Sequence, residues 1–275
     1  MIVSRSRSTP GDALLPRDDN PLLSIIIATY NAASFLPRTI ESVREQSAGL
    51  ADVEVILIDG ESNDNTVKIA KDSGMFTNVI SEPDAGIYDA MNKGAEVARG
   101  EWLHFLNAGD AFTDAESLAA ITNRLRLNRH NWAICRAVNL GGGNAPVRRI
   151  PSVPHTWWRH ALGLQPHCHQ ATFFRRKTFH ELGGHSLKYG TAGDFDLILR
   201  IGLTSEPLPI DRVCINYLGG GLSDGAWHAS GEGQHRSRVD RMQLGHVGSS
   251  FDTLWVHLSQ LMLRARIQLG RMRRR

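Results

Sequence analysis

The segment Glu101–Asp110, EWLHFLNAGD, begins with a run typical of a buried strand and ends with small and polar residues typical of a loop. Residues Trp102 to Leu106 are apolar apart from one histidine, which predicts a strand covered on both faces. Asn107–Asp110 then brings small residues and a carboxylate to the strand end, where ligands of open α/β sheets bind. A carboxylate there suggests a hard cation, Mg²⁺ or Mn²⁺, shared with phosphates. The alternative is a plain turn, since Asn, Gly and Asp are common turn residues.

The same order of strand, polar loop and helix occurs in the residues before this segment. Leu22–Ala28 (LLSIIIA) and Val53–Ile58 (VEVILI) are apolar runs rich in β-branched residues, which predict two more buried strands. Helices are predicted from a cap at Ser34 to about Gln46, with Phe35 turned inward, and from Thr66 to Asp72. This alternation predicts an α/β fold with a parallel sheet and right-handed crossovers.

Polar residues follow these two strands, where a ligand of such a sheet would bind. Thr29, Tyr30 and Asn31 come after the first strand, and Asp59 ends the second. Asp59 has the position of an acid that holds the ribose or the base of a nucleotide. The Ser, Asn and Asp residues after Asp59 are at least as well explained by capping of the next helix. No G-x-G-x-x-G follows the first strand, which argues against a NAD-binding domain.

Two later acids also fit either a ligand site or the start of a helix. Asp84 lies in a turn before a helix predicted from Ile87, where it would face a diphosphate-sugar. Asp194 lies at or just before the N-cap of a later helix, where it would cap that helix or act as general base for an alcohol. A cap contacts only backbone, whereas a base must be reachable from the pocket. Asp196 is expected to interact favourably with the helix dipole or to pair with Arg200, four residues on.

The segment Pro166–Gln170, PHCHQ, places two histidines on either side of a cysteine, so the two could point the same way. A metal site is disfavoured, because no further ligands follow at a recognisable spacing. The segment is better explained by polar residues that line a cleft or that find hydrogen-bond partners in the core. His169 and Gln170 are candidate contacts of an acceptor.

Length and composition predict one large α/β domain, or one domain with a smaller C-terminal addition. The chain has 275 residues, 41% of them hydrophobic, and a net charge of +3, which is enough for a sizeable core and does not indicate nucleic-acid binding. Three widely spaced cysteines favour reduced thiols over disulfides or zinc. Neither the apolar core of a signal peptide nor the ~20 apolar residues of a membrane span is found. We therefore expect a cytoplasmic protein.

The two ends of the chain differ in composition from its middle. Residues 1–20 are rich in Ser, Arg, Pro, Asp and Gly and are predicted to be disordered. Six arginines lie between Arg264 and the C-terminus, with no acid after Asp252. Such a basic helix either lies on the anionic inner face of the cell membrane or docks on the domain with a solvated basic end. Its predicted apolar stripe comprises Leu254, Leu258, Leu261, Met262, Ala265, Leu269 and Met272.

Taken together, these motifs resemble those of the family 2 glycosyltransferases, which have the GT-A fold. The matching stretches lie between Leu22 and about Asp224, and their order is more specific than any one of them. The resemblance implies a Rossmann-like, mixed and mainly parallel sheet flanked by helices. It places a nucleotide-sugar half at about 21–112, an acceptor half at about 113–240 and a helical extension at 241–275. The stretches are SIIIATYNAASFL, VILIDGESNDNTV, EPDAGIYDAMNKGAEVARGEWLHFLNAGD, HQATFFRR, GGHSLKYGTAGDFDLILR and GGGLSD.

On the donor side, the resemblance implies roles for residues after the first three strands. Thr29, Tyr30 and Asn31 would wrap the nucleotide of a nucleotide-sugar donor. Asp59 would contact the base, and Asp84 would approach the ribose or the sugar phosphate. The GGGLSD stretch resembles the family's loop over the active site.

The metal and the base are implied in the same way. The family's metal-binding D-x-D corresponds to Asn107–Asp110, with Asn107 in place of the first acid. Asp110 alone would then be the acidic ligand of the divalent cation, while Asn107 contacts the donor. The family's Glu-Asp pair falls on Gly193 and Asp194, so Asp194 has the role of the base without a neighbouring acid.

The implied reaction moves a sugar to a hydroxyl of a saccharide or lipid-linked acceptor and inverts the anomeric centre. Cell-surface polysaccharide or glycolipid biosynthesis in the cell envelope is the expected context. A divalent cation at Asp110 neutralises the leaving diphosphate as a Lewis acid, and Asp194 takes the proton of the acceptor hydroxyl. Asp110 and Asp194 must therefore lie on opposite sides of the donor sugar.

Two other functions fit parts of the sequence. A nucleotidyltransferase would need a Gly-rich, basic phosphate loop after the first strand, and ATYNAASFL does not provide one. A non-catalytic family member that binds a nucleotide-sugar or a partner enzyme would tolerate Asn107 and Gly193 in place of acids. The transferase is preferred, and the non-catalytic member is retained as the alternative.

Overall fold

Nine strands form one sheet in the part of the chain that the computed structural model describes. The described residues are 20–46, 50–141, 148–150 (backbone only), 154–161, 165, 167–219, 233–234, 236–238, 240–241, 261 and 265. Nearly all of the predicted disordered segment and of the C-terminal helix, and most of the GGGLSD loop, therefore lie outside the described residues, and the division into two halves stays a prediction.

The strands are β1 Leu23–Thr29, β2 Val53–Asp59, β3 Asn78–Ser81, β4 Trp102–Phe105, β5 Ala111–Phe112, β6 Trp132–Asn139, β7 Arg148–Ile150, β8 Thr172–Arg175 and β9 Leu208–Tyr217. Their order across the sheet is β3-β2-β1-β4-β8-β6-β9-β5, and β7 pairs with β6. The first four strands in this order are mutually parallel. Strand β8 is antiparallel to both neighbours, β6 and β9 are parallel, and β5 is antiparallel to β9. The mixed, mainly parallel sheet is as predicted.

The helices are α1 Leu36–Arg44, α2 Thr66–Ser73, α3 Ile87–Val97, α4 Ser117–Arg126, α5 Trp157–Ala161, α6 Arg176–Glu181 and α7 Gly193–Gly202. Two predicted details are wrong. Phe35 rather than Ser34 is the N-cap residue of α1, without a side-chain cap, and the Phe35 side chain is 49% exposed while Leu36 takes the buried position. Helix α7 starts at Gly193, so Asp194 lies in its first turn and not at the N-cap.

Two apolar cores lie on the two faces of the sheet, which explains the uninterrupted apolar runs. Side chains alternate along a strand, so Ile25 and Ile27 of β1 enter one core while Ile26 enters the other. Helices α1, α2 and α4 cover the first face, and α3 and α7 cover the second. A Cβ on Gly94 of α3 would lie 2.4 Å from Ile26 Cγ2, so glycine lets this helix lie directly on β1.

No helix among the described residues is both long and apolar enough to cross a bilayer. All three cysteines are buried and free.

Glu54 is a buried carboxylate that joins β1, β2 and the segment leading into β4. It accepts hydrogen bonds from Ser24 Oγ at 2.6 Å, Arg99 N at 2.6 Å and Gly100 N at 3.1 Å. Burial opposes its ionisation, but the hydrogen bonds from Ser24, Arg99 and Gly100 outweigh burial and lower its pKa below the ordinary value. The charge of Glu54 therefore stabilises the fold.

Glu54→Gln is expected to reduce the free energy of unfolding at pH 7 by roughly 1–3 kcal/mol, because charge-assisted hydrogen bonds are lost. The folded pKa lies below the unfolded one, so this stabilisation is present above the unfolded pKa and is lost as pH falls through the folded pKa. Urea unfolding at pH 7 and at stepwise lower pH measures the difference. The exposed Glu206→Gln is the matched control, and a pH-independent gap for Glu54→Gln would contradict the assignment.

Candidate active site

Three polar side chains lie side by side where the parallel strands end. The register pairs Thr29 with Asp59 and Asp59 with Ser81. Asp59 is fully buried and accepts hydrogen bonds from Thr29 Oγ1 at 3.1 Å, Ser81 Oγ at 2.8 Å, and Ser62 N and Oγ at 2.8 and 2.5 Å. Its observed contacts fix the loop after β2, and its contact with a nucleotide base stays a prediction.

The loops that follow β1 and β2 are joined by hydrogen bonds. Asn31 N donates to Ser62 Oγ at 2.7 Å, and Asn63 N donates to Asn31 Oδ1 at 3.0 Å. Ala33 N donates to Asp64 Oδ2 at 3.1 Å. Asn31 has φ 48°, a left-handed conformation that Asn tolerates better than most residues. The rigid double loop gives the predicted donor residues a fixed backbone.

Two further donor candidates lie at this edge of the sheet. Tyr30 is 66% exposed, so its ring is available to a ligand. Asp84 is partly exposed, and its Oδ1 accepts a hydrogen bond from Gly86 N at 2.8 Å. A Cβ on Gly60 would lie 2.4 Å from Asp84 Oδ2, so the glycine allows this carboxylate to reach the loop after β2.

The turn after β4 is held from two sides. Gly109, at φ 96°, donates its N–H to Thr39 Oγ1 of α1 at 2.8 Å, and that hydroxyl donates to Asp110 O at 2.8 Å. Leu218 N, just after β9, donates to Asp110 Oδ1 at 2.8 Å. Asp110 is 2% exposed. Its carboxylate is thus placed by α1 and by the end of β9.

Two oxygens of this turn are buried and accept no hydrogen bond from any described residue: Asp110 Oδ2 and Asn107 Oδ1. Burial raises the pKa of Asp110 to about 7, against the lowering effects of Leu218 N–H, the Gln170 side chain and the Arg38 charge. Carboxylate and amide oxygens are the ligands that Mg²⁺ and Mn²⁺ accept, so the two residues fit a divalent cation. Within the described ranges, no three His, Cys, Asp or Glu side chains group to hold a metal ion.

The segment before β8 brings Gln170 to Asp110. The Gln170 carbonyl oxygen is 2.8 Å from His104 Nε2, and its Oε1 accepts a hydrogen bond from Cys168 Sγ at 3.2 Å. Gln170 was predicted as an acceptor contact, and the structure places it beside the proposed metal ligand.

His167 and His169 do not point the same way. His169 is buried, with its Nε2 3.0 Å from His185 Nε2, while His167 Nε2 lies 3.0 Å from His155 Nδ1. Burial lowers the pKa of His169 to about 4, so this ring is neutral near pH 7. His169 thus lies in the core with a hydrogen-bonding neighbour, which is one of the two explanations that the sequence favoured. A contact between His169 and an acceptor stays a prediction.

Asp194 lies in the first turn of α7, where its Oδ1 accepts a hydrogen bond from Phe195 N at 2.7 Å. The residue is partly exposed. Desolvation raises the pKa of Asp194, while the Phe195 N–H and the Tyr88 hydroxyl act in the opposite direction. The bond to the Phe195 N–H is the kind of contact that a cap makes, and the role of Asp194 as a base stays a prediction. The predicted Asp196–Arg200 ion pair is present, at 2.7 Å.

Cys168 connects the two carboxylates electrostatically. Burial raises the pKa of this thiol, and the charges of Asp110 and Asp194 raise it further. Both carboxylates therefore disfavour the thiolate form of Cys168. Arg38, Tyr88 and Cys168 were not identified as site residues from the sequence, because no local motif marks them.

Two kinds of comparison relate the sequence to known proteins. Residues 24–188 match the model of Glycosyl transferase family 2. A "PGL/p-HBAD biosynthesis glycosyltransferase" of Mycobacterium bovis is 34% identical over 190 residues, which cover 66% of this chain and 69% of that protein. Chondroitin synthase of Pasteurella multocida is 24% identical over 232 residues, 74% of this chain and 22% of the synthase.

Solved structures show the same fold. S. aureus TarS 1-349 in complex with UDP-GlcNAc has a TM-score of 0.68 and 16% identity, over 85% of this chain and 70% of that one. The mannosyltransferase PcManGT from Pyrobaculum calidifontis, in complex with GDP-Man and Mn²⁺, has a TM-score of 0.63 and 16% identity, over 92% and 76%. The GT-A fold expected from the sequence is confirmed.

Asp110→Asn is expected to change the pH dependence of stability when EDTA is present and donor is absent. The folded pKa of Asp110 is raised, so the stability that its neutral form contributes is present below the unfolded pKa and lost as pH rises through about 7. The variant should therefore gain roughly 2–3 kcal/mol relative to wild type between pH 5 and pH 8.

Urea unfolding at the two pH values measures this gain. The exposed Asp211→Asn is the control and should leave the pH dependence unchanged. A gain of equal size at both pH values would contradict the burial of an unpaired carboxylate at Asp110.

Proposed function

The chain belongs to glycosyltransferase family 2, and from this premise we propose that it transfers a sugar from a nucleotide diphosphate-sugar to a hydroxyl of a saccharide or glycolipid acceptor, with inversion. One observation carries the proposal. In the turn after β4, Asp110 Oδ2 and Asn107 Oδ1 are buried and have no partner among the described residues, and Asp194 lies partly exposed in the first turn of α7. Asp110 suits the leaving-group side of a donor sugar, and Asp194 suits the acceptor side.

The donor nucleotide is assigned to the carboxyl edge of β1, β2 and β3. Thr29, Tyr30 and Asn31 would wrap it, with Asp59 towards the base and Asp84 towards the ribose or sugar phosphate. The hydrogen-bonded double loop and the exposed Tyr30 support this assignment. The structural neighbours solved with UDP-GlcNAc and GDP-Man support a nucleotide-sugar as donor.

Asp110 and Asn107 would hold Mg²⁺ or Mn²⁺ through their unpartnered oxygens. A divalent cation bound there supplies a Lewis acid for the charge that develops on the leaving diphosphate. Thr39 and Leu218 keep the turn and the carboxylate in place. Arg38, whose charge acts on Asp110, adds positive charge on the same side. The Mn²⁺ complex of PcManGT supports the choice of metal.

Asp194 would accept the proton of the attacking hydroxyl. A hydroxyl is a poor nucleophile at neutral pH until a carboxylate takes its proton. The raised pKa of Asp194 makes it a stronger base than an exposed carboxylate, and it acts once the pH exceeds that pKa. Attack from the face opposite the diphosphate inverts the centre.

Asp194→Asn is expected to slow sugar transfer by about 10²–10⁴-fold and to leave donor binding unchanged, because the variant loses the base but keeps the shape of the site. A thermal-shift screen of UDP-, GDP- and dTDP-sugars with Mn²⁺ first identifies the donor, since bound ligand raises stability by mass action. Transfer rates and donor Kd are then compared with those of wild type and of the exposed Asp72→Asn control.

Full turnover by Asp194→Asn would contradict the base assignment. Absence of both donor hydrolysis and transfer by the wild-type protein, with every nucleotide-sugar that binds, would instead favour a non-catalytic binding member of the family.

The basic C-terminal helix is proposed to hold the enzyme on the cytoplasmic face of the cell membrane. Leu261 and Ala265 belong to its predicted apolar stripe, are in helical conformation and are both exposed, Leu261 by 64%. Exposed apolar residues in a segment with arginines on either side suit an anionic bilayer surface, where each basic residue contributes roughly 1 kcal/mol.

Truncation after Asp252 is expected to lower co-sedimentation with phosphatidylglycerol-containing liposomes. Leu261→Glu in the full chain should have a smaller effect in the same direction, because it interrupts the apolar stripe but keeps the arginines. Liposomes of neutral phosphatidylcholine are the control. Equal sedimentation of the full and truncated chains would favour a helix docked on the domain.

A further inference from the structure

The first turn of α7 carries Asp194 and is covered by a segment from further along the chain, the 233–241 segment. Its described residues are 233–234, 236–238 and 240–241, all in helical conformation. Asp194 is partly exposed, whereas the next two residues, Phe195 and Asp196, are buried. Contacts to Phe195 and Asp196 therefore decide how firmly this turn is held.

The Asp196 carboxylate is fully buried and accepts hydrogen bonds from two parts of the chain. Arg200, on α7 itself, donates from Nε to Asp196 Oδ2 at 2.7 Å. From the 233–241 segment, Ser237 Oγ donates to Asp196 Oδ1 at 2.9 Å. Arg241 donates from Nε to Oδ1 at 2.9 Å and from Nη2 to Oδ2 at 3.2 Å. Such a bidentate pair fixes direction as well as distance.

Phe195 contacts both the 233–241 segment and α5. The Arg238 guanidinium carbon lies 4.9 Å from the centroid of the Phe195 ring, and the His160 ring lies 4.5 Å from it. His160 Nε2 is 3.2 Å from Phe195 O, and Arg238 Nε donates to Ala161 O. The segment therefore joins α5 to the start of α7.

The 233–241 segment is also attached to Leu187–Ala192, the 3₁₀ segment that precedes α7. Tyr189 donates its hydroxyl to Asp240 Oδ2 at 2.9 Å. A Cβ on Gly233 would lie 2.3 Å from Tyr189 O, so the glycine lets the two backbones approach closely. The segment thus contacts the chain on both sides of the point where α7 begins.

We propose that Arg241 is a positioning residue: its bidentate bond to Asp196 fixes the first turn of α7 and so the direction in which Asp194 presents its carboxylate to the acceptor. This inference rests on the proposed base role of Asp194. Asp194 Oδ1 accepts a hydrogen bond from Phe195 N at 2.7 Å, so its carboxylate follows the backbone of this turn. Arg241 acts through Asp196 and that backbone, without contact to the substrate.

Arg241 is a better position for substitution than Asp196. Without Asp196, two arginines would lose the carboxylate that pairs with them, and breaking a buried ion pair in this way is strongly destabilising. Without Arg241, Asp196 keeps its bonds to Arg200 and Ser237. The Arg241 side chain is 31% exposed, so its removal leaves no large cavity.

Arg241→Ala is expected to lower kcat for sugar transfer by roughly 10–10²-fold and to leave the donor KM unchanged, because a small displacement of a catalytic group is costly in rate. Arg241→Lys keeps the charge but not the bidentate geometry, and its kcat should lie between those of Arg241→Ala and wild type. The exposed Arg236→Ala, in the same segment, is the matched control and should have the wild-type kcat. Rates are measured well below the unfolding midpoint of each variant.

A double-mutant cycle with Asp194→Asn separates positioning from a general structural role. If Arg241 acts through Asp194, Arg241→Ala lowers kcat in the wild-type background and causes no further loss in the Asp194→Asn background. An equal loss in both backgrounds overturns the inference. So does a lower unfolding midpoint for Arg241→Ala with a wild-type kcat.

The same measurements distinguish this inference from the proposed function. A wild-type kcat for Arg241→Ala beside a slow Asp194→Asn overturns the positioning role alone. Full turnover by Asp194→Asn overturns the base role of Asp194 and the positioning role with it.

Discussion

Strand β1 pairs with β2 on one side and with β4 on the other, and all seven of its residues are buried. Since both faces are covered by apolar cores, the polar groups of these central strands collect at the strand ends. The shared register brings Thr29, Asp59 and the turn after β4 to one edge. The loops that carry the predicted donor contacts start from that edge, so the geometry of the site depends on this pairing.

Buried carboxylates have two different environments in this protein. Glu54 and Asp59 accept hydrogen bonds from several protein donors at once, so groups of the fold itself satisfy their carboxylate oxygens. Asp110 has one oxygen bonded to Leu218 N and the other without a partner among the described residues. The pKa of Glu54 is accordingly lowered and that of Asp110 raised. An unmet acceptor of this kind is costly unless a ligand satisfies it, which is why Asp110 is the better candidate for a metal.

The turn after β4 and the start of α7 each lie near a side chain from another helix. The charge of Arg38 on α1 acts on Asp110. The ring of Tyr88 on α3 and the Ser186 carbonyl oxygen lie close to Gly193, the residue before Asp194. Both helices pack against the sheet, so these neighbours are brought by packing and not by the adjacent sequence.

The sequence by itself determined the order of strands and helices, the parallel half of the sheet and the family, because periodicity, turn residues and motif order are local properties of the chain. It also predicted site roles for Asp110 and Asp194, since each follows or opens a recognisable element, and these roles stay predictions. Tertiary structure decided which groups face each other. His169 turns to His185, the Gln170 side chain acts on Asp110, and the Tyr88 ring lies beside Gly193. These contacts join segments far apart in the chain, and whether a polar side chain finds a partner or stays free depends on the packing of those segments, which no local pattern encodes.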